Sequence, residues 1–157
     1  EPSARSWKTS TRLPVLPAKI VAHRLMSVVV SETVVKVGFE SGDKVKAGQM
    51  LVIQGAAINN HSTTRSAITV KGVLLDETGQ ALLQQTVFCG NKLDDYALES
   101  MSFAAIEEAM NNQFGDSLSN MNVAAGATIP FTIVFRNLPA GIGNINVEFV
   151  DSKPGAG

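Results

Sequence analysis

The chain is poor in the residues most chemistry depends on. It holds one cysteine, one tryptophan, one tyrosine and two histidines among 157 residues. A single cysteine excludes an intrachain disulfide but fixes no compartment. One Trp and one Tyr supply few aromatic faces for a sugar ring. Charged residues make up only 17%, below the usual share of about a quarter. Lys plus Arg is 13 and Asp plus Glu is 14, for a net charge of -1. That balance excludes the basic excess by which dedicated nucleic-acid or anionic-membrane binders displace counterions. No apolar run reaches the roughly 18 residues of a membrane helix. No signal peptide is visible, and the chain opens on Glu1 rather than Met. The chain is therefore read as a processed or trimmed piece, and whatever preceded Glu1, whether a leader, an anchor or another domain, is not visible in it.

What is present is a core and a β pattern. Apolar residues reach 45%, enough for one domain of ordinary size. Residues 1–17, EPSARSWKTSTRLPVLP, show no periodicity and read as a flexible or partner-bound N-terminal tail. From Ala18 the pattern turns to β. Leu25–Val30 is β-branched, and Val35–Phe39 alternates apolar and polar residues, which is strand periodicity. Ser41–Lys44 and Lys46–Gly48 carry turn chemistry. Gln49–Asn59 is nearly continuous in apolar character, as in a strand buried on both faces, and Gly55 within it marks a bulge or a close neighbour. Asn59-Asn60-His61 suits a chain reversal. Ser66–Leu75 and Gln80–Phe88 form a hairpin across Asp76-Glu77-Thr78-Gly79, with Gly79 left-handed.

The period then lengthens. Asp94 is placed to cap a helix, with Leu93 and Leu98 as a hydrophobic staple. Phe103, Ile106 and Met110 share one helical stripe. Strands resume at Ile129–Phe135, where Pro130 predicts an edge, and at Ile145–Phe149. Six or so mostly antiparallel strands with a two-helix interruption predict a mainly β fold. We expect an immunoglobulin-like antiparallel β-sandwich with a short helical insert at about 93–113. It occupies a single domain over 18–151, followed by a C-terminal tail over 152–157.

Thr86-Val87-Phe88-Cys89-Gly90-Asn91-Lys92-Leu93 decides the question of catalysis. A thiol nucleophile needs a base, and only His23 and His61 are on offer. Neither has a spacing that puts it beside Cys89, so Cys89 reads as a buried small hydrophobe. Zinc wants four ligands in paired spacing, which one Cys and two separated His do not supply. Asp94, Asp95 and Asp116 with Asn111, Asn112 and Asn120 match no calcium loop. No Gly-x-Ser-x-Gly occurs. Gly141-Ile142-Gly143 stands before a strand and Phe114-Gly115-Asp116 is a turn by context. No catalytic residue, metal ligand or cofactor is assigned, and the chain is read as not an enzyme.

Distinctive pieces remain at Leu51–Asn60, Arg65-Ser66, Val70-Lys71-Gly72, Leu75–Gly79, Val87–Asn91, Asn112–Asn120 and Ile129–Phe131. Together, over about Leu25 to Val150, they resemble a bacterial extracytoplasmic family of unknown function. That family usually lies C-terminal to a zinc-ribbon finger and a single transmembrane helix. The resemblance implies an extracytoplasmic sandwich, in the periplasm or at the cell surface, reaching the membrane only through an anchor upstream. It implies no activity. In this light Cys89, Gly90 and Asn91 form a structural corner, with Gly79, Gly115 and Asp116 as further structural positions.

Two functions follow as expectations. The first is a non-catalytic envelope module binding other envelope proteins, with a strand or tail contributed or accepted and self-assembly through the N-terminal segment. Ala18–Val30 is the segment expected to take part. The second is a small-ligand or carbohydrate domain with Asp94, Asp95, Tyr96 and Asp116 lining a cleft beside the insert.

Overall fold

A computed structural model describes residues 5–11, 19–21, 23–40 and 46–155. The strands are β1 (Arg5–Thr11), β2 (Lys19–Val21), β3 (Met26–Glu40), β4 (Lys46–Asn59), β5 (Arg65–Asp76), β6 (Ala81–Phe88), β7 (Thr128–Arg136) and β8 (Ile142–Pro154). Helices α1 (Asp95–Ser100) and α2 (Phe103–Met110) and a 3-10 turn at Asp116–Leu118 lie between β6 and β7. One sheet runs β1-β3-β4-β7, the other β2-β8-β5-β6. Every pairing is antiparallel except that of β2 with β8. The sandwich and its helical insert are those the alternation predicts.

The strand order identifies the architecture more closely. An immunoglobulin sandwich sets D-E-B in one sheet and G-F-C in the other. Here β3-β4-β7 and β6-β5-β8 reproduce that order, with the chain entering at D and the helices carried on the G-to-B connection. The fold is thus immunoglobulin-like with a cyclic shift of its strands.

The sheets meet closely because Gly72 of β5 has no side chain. A Cβ there would lie 3.3 Å from Ile133 and Phe135 of β7. Gly55 of β4 faces the same core, and a Cβ there would lie 2.6 Å from the Phe131 ring and would also strike the Val29 carbonyl. The close approach expected at Gly55 is therefore real. Leu51, Ile53 and Ala57 fill this interface from β4, with Ile68, Val70 and Leu74 opposite from β5.

β4 is buried on its other face as well. Val34, Val52 and Val134 stand in register across β3, β4 and β7. They belong to one core cluster with Leu93, Leu98, Ile106 and Met110 of the insert. The insert thus makes a third layer, which accounts for the continuous apolar run of β4. Its start follows the capping signals: Asp94 accepts the Ala97 N–H at 2.8 Å, and Leu93 and Leu98 are both buried. Ser102 caps α2 through the Ala105 N–H at 3.1 Å.

Several local expectations are corrected. Arg5–Thr11, read as tail, is a strand in register with Val35–Glu40 of β3. Leu25–Val30 and Val35–Phe39, read as separate, join in one strand because a bulge at Ser31 absorbs the register shift and the Ser31 hydroxyl donates to the Gln54 carbonyl at 3.1 Å. Lys46–Gly48 extends β4 rather than turning, and the expected turn at Ser41–Lys44 lies outside the described residues. Ser152–Pro154, read as tail, completes β8. The Arg65 guanidinium donates to the Ser152 hydroxyl at 2.8 Å and its carbonyl at 2.9 Å, fastening the strand end.

Candidate functional site

Cys89 lies at the bottom of a corner, 0% exposed, with its N–H on the Ile68 carbonyl at 2.9 Å. Burial pushes its thiol well above the ordinary range, since a thiolate would lose its hydration there. The histidines are engaged elsewhere. The His61 N–H donates to Asn59 Oδ1 at 2.9 Å, with the ring Nδ1 3.0 Å from the same oxygen. Desolvation, then the Arg65 and His23 charges, hold His61 below its usual pKa. His23 packs edge-on against Phe149 at 4.7 Å.

Four more of the structural positions converge on that corner. Gly90 has φ +93 and donates its N–H to the Pro130 carbonyl at 2.6 Å. Its carbonyl accepts from the Asp116 N–H at 2.9 Å and the Ser119 hydroxyl at 3.3 Å. A Cβ on either Gly90 or Gly115 would lie 2.5 Å from Ser119 Oγ, so both glycines are required by space as well as by backbone angle. Asn91 is buried and donates to the Asn112 carbonyl at 2.8 Å. Asp116 contributes its backbone, while its side chain is exposed. Gly79 stands apart at the β5–β6 turn, with φ +91 and open space around it. There the Asp76 carboxylate accepts from the Thr78 hydroxyl at 2.6 Å and from the Thr78 and Gln80 N–H groups at 2.9 Å. The hydrogen bond from the Thr78 hydroxyl leads the causes that hold Asp76 below its ordinary pKa.

Asn120 is the member of this corner that pattern reading undervalues. It is 0% exposed and pairs like a strand with Ile68, accepting from its N–H at 2.9 Å and donating to its carbonyl at 3.0 Å. Around it Ala67, Ser117, Leu118 and Asn122 hold φ between +52 and +63, conformations that persist only where neighbours over-determine them. The Asn112–Asn120 stretch is the only sequence signal for this, and it does not reveal a partner across the sandwich. Asn59 is a similar case. Its side chain donates to the carbonyls of Thr63 at 3.0 Å, Val123 at 3.1 Å and Ala124 at 3.3 Å, tying the β4–β5 reversal to the β7 approach.

The residues proposed for a ligand cleft do not gather. Asp94 serves as a helix cap and Tyr96 is 79% exposed on α1, while Asp116 belongs to the corner loop. Two cavities are described, and neither is lined by Asp94, Asp95, Tyr96, Asp116 or Cys89. One, of about 250 Å³, lies beside Phe114, Met121 and Lys153.

The other lies between α2 and the outer strands of the two sheets. β7 is the last strand of its sheet and β6 the last of the other. Pro130 has no N–H, and the Val134 N–H donates to the Met110 sulfur at 3.3 Å, so the even-numbered residues of β7 point outward. The corner and the insert cover them: the Pro130 carbonyl accepts from the Gly90 N–H, and the Thr132 hydroxyl accepts the Leu93 N–H at 2.9 Å while donating to the Gln54 side chain at 2.6 Å. On β6 the Cys89–Ile68 bond sets the opposite parity. Odd-numbered residues bond to β5, and Gln84 and Thr86 direct N–H and C=O outward. Among the described residues no hydrogen bond meets these outward groups of Gln84 and Thr86. Beside them opens a slot of about 220 Å³ with Leu83, Phe103, Ile106, Met110, Val134 and Phe135 as its apolar wall. Arg136 stands at its rim, its guanidinium 4.6 Å above the Phe103 ring.

Among the described residues no cluster of three or more His, Cys, Asp or Glu is placed to hold a metal ion. No helix among them is long and apolar enough to cross a membrane. Among the described residues the arrangement offers a backbone edge unpaired at Gln84 and Thr86 with an adjoining side-chain slot, and a sealed corner that holds the insert. No curated protein and no solved structure matches the chain. A family model does match, over residues 34–149, and the chain belongs to that family, described as "Protein of unknown function (DUF3426)".

Proposed function

We propose that this chain is a non-catalytic interaction module of the cell envelope that accepts an extended segment of another protein on β6. The observation that carries the reading is the bare edge at Gln84 and Thr86 beside an apolar slot. Strand addition takes its affinity from main-chain hydrogen bonds and its specificity from adjacent pockets. Both are present at β6. The sealed, protonated Cys89 supports a non-catalytic role. At about 220 Å³ the slot is smaller than the roughly 300–1,000 Å³ of small-molecule sites, which favours a side chain over a sugar or metabolite.

The compartment and partners rest on the resemblance of the sequence. We place the module outside the cytoplasm, with other envelope proteins as partners and no nucleic acid. Its membrane attachment is assigned to an anchor upstream, in the order of zinc-ribbon finger, membrane helix and sandwich. Self-assembly through residues 1–17 is the less favoured route, because Arg5–Thr11 is already occupied in pairing with β3.

The test uses a photo-crosslinking amino acid in place of Gln84 in the intact envelope, with Glu77 in the hairpin turn as control. The expected result is a crosslinked polypeptide from Gln84, lost when Thr86→Pro is added. Proline at an outward position deletes the free donor while sparing the bonds to β5. Equal crosslinking from both positions, or survival of the adduct in the proline variant, would overturn the assignment.

A further inference from the structure

We infer that the segment received by β6 presents an apolar side chain to the slot and, beside it, a carboxylate to Arg136. This rests on β6 being the accepting edge and specifies the chemistry of what it accepts.

The slot has two parts of different character. Its floor is Ile106, Met110, Val134 and Phe135, all buried, with half-buried Leu83 and Phe103 at the sides. These surfaces come from three elements, and the Val134 N–H on the floor already meets the Met110 sulfur. An aliphatic or aromatic side chain is what such a surface rewards, at about 25 cal/mol per Å² removed from water. A chain lying along β6 places alternate side chains on one face of the sheet. One of them is thereby directed toward the slot that opens beside Leu83 and Gln85.

The rim supplies the charge. Among the described residues Arg136 has no ion pair, although Glu107 lines the same slot. Its guanidinium carbon lies 4.6 Å from the centre of the Phe103 ring, within cation–π range, and the side chain is exposed to solvent. An exposed guanidinium with no ion pair among the described residues is matched by a carboxylate, which can accept two parallel hydrogen bonds from it. Glu107 on the same rim discourages a second acidic residue farther along α2. The occupant that fits is an extended peptide in which an apolar anchor adjoins a single Asp or Glu.

The experiment selects displayed random short peptides on the intact chain. Selected peptides are then synthesised with their acidic residue intact or replaced by its amide. Three results are expected together. Enriched sequences pair an apolar residue with a neighbouring Asp or Glu, and the peptides protect the Gln84 and Thr86 amides from hydrogen exchange. The wild type prefers the acid form by about tenfold, and Arg136→Gln abolishes that preference while Arg136→Lys keeps part of it. A merely structural arginine would shift thermal stability without touching the acid-to-amide ratio. Peptides that protect β6 yet bind equally well as acid and amide, or an Arg136→Gln variant that still discriminates, overturn this inference and leave the strand-accepting reading standing. A selection that yields no peptide protecting β6, or only peptides seated at the Phe114 and Lys153 cavity, overturns both.

Discussion

β6 and β7 are both last strands of their sheets, and they are finished in different ways. Two outward groups of β7 are met: the Pro130 carbonyl by the Gly90 N–H of the corner, and the Val134 N–H by the Met110 sulfur of the insert. Gln84 and Thr86 of β6 meet nothing among the described residues. An uncovered edge invites pairing with other chains, and proteins ordinarily blunt it with charge, proline or a covering element. β7 has both proline and cover. β6 has no proline and, among the described residues, no cover at Gln84 and Thr86, and its outward backbone is flanked by a slot with an apolar floor and a charged rim. The contrast teaches that the insert is a cap for one edge and a wall for the pocket at the other.

The same substitution at the two edges breaks this comparison most sharply. Val134→Pro removes the bond to Met110 and a buried side chain and should cost more than about 3 kcal/mol. Thr86→Pro should cost less than about 1 kcal/mol, because its N–H points outward from an exposed site. Urea unfolding measures both, and the rate of Cys89 alkylation reports opening directly, since the thiol is 0% exposed. Equal losses at the two sites would mean that the edges are alike.

The glycines sharpen it further. Gly90→Ala meets both a positive φ of +93 and the Ser119 hydroxyl, for an expected loss of about 2–4 kcal/mol. Gly79→Ala meets only φ +91, with nothing near its Cβ, for about 1 kcal/mol. The gap between the two denaturation midpoints isolates the packing of the cap. A vanishing gap would show that the corner yields around the added methyl.

The smallest effect belongs to Asp76, in the turn that begins β6. Its folded pKa lies below its unfolded one. The stabilisation is therefore present at neutral pH and is lost as pH falls below about 4 and through the folded value. Asp76→Asn should lower the urea midpoint slightly at neutral pH and flatten its dependence on pH in that acid range, so that the two proteins converge in acid. An unchanged acid limb would show that the turn does not hold its carboxylate.

Much of the fold was legible because its causes are local. The Asp76–Gly79 turn, the Asp94 cap and the Leu93–Leu98 staple are contacts between near neighbours in the chain, so residue type and spacing suffice. Pro130 gave away an edge for the same reason. The apolar run from Gln49 could be read as doubly buried but not what covered it. Gln54, a polar residue in that run, made no sense until Thr132 and Leu93 closed around it. The ends were misjudged because polar residues without periodicity, such as Arg5–Thr11 and Ser152–Pro154, are made strands by long-range pairing. The ligand cleft drawn from Asp94, Asp95, Tyr96 and Asp116 does not assemble, since proximity along the chain carried no information about which loop each would join.

By itself the sequence determined alternation, caps, turns and the poverty of reactive groups, all of which depend on residues a few positions apart. Only tertiary structure decided which edge is covered and which is bare, that Asn120 stands in for a strand beside Ile68, and that Arg136 rises over Phe103 at the mouth of a slot. Those outcomes depend on how one sheet lies over the other and where the insert comes to rest. Each joins residues tens of positions apart, and no pattern along the chain records it.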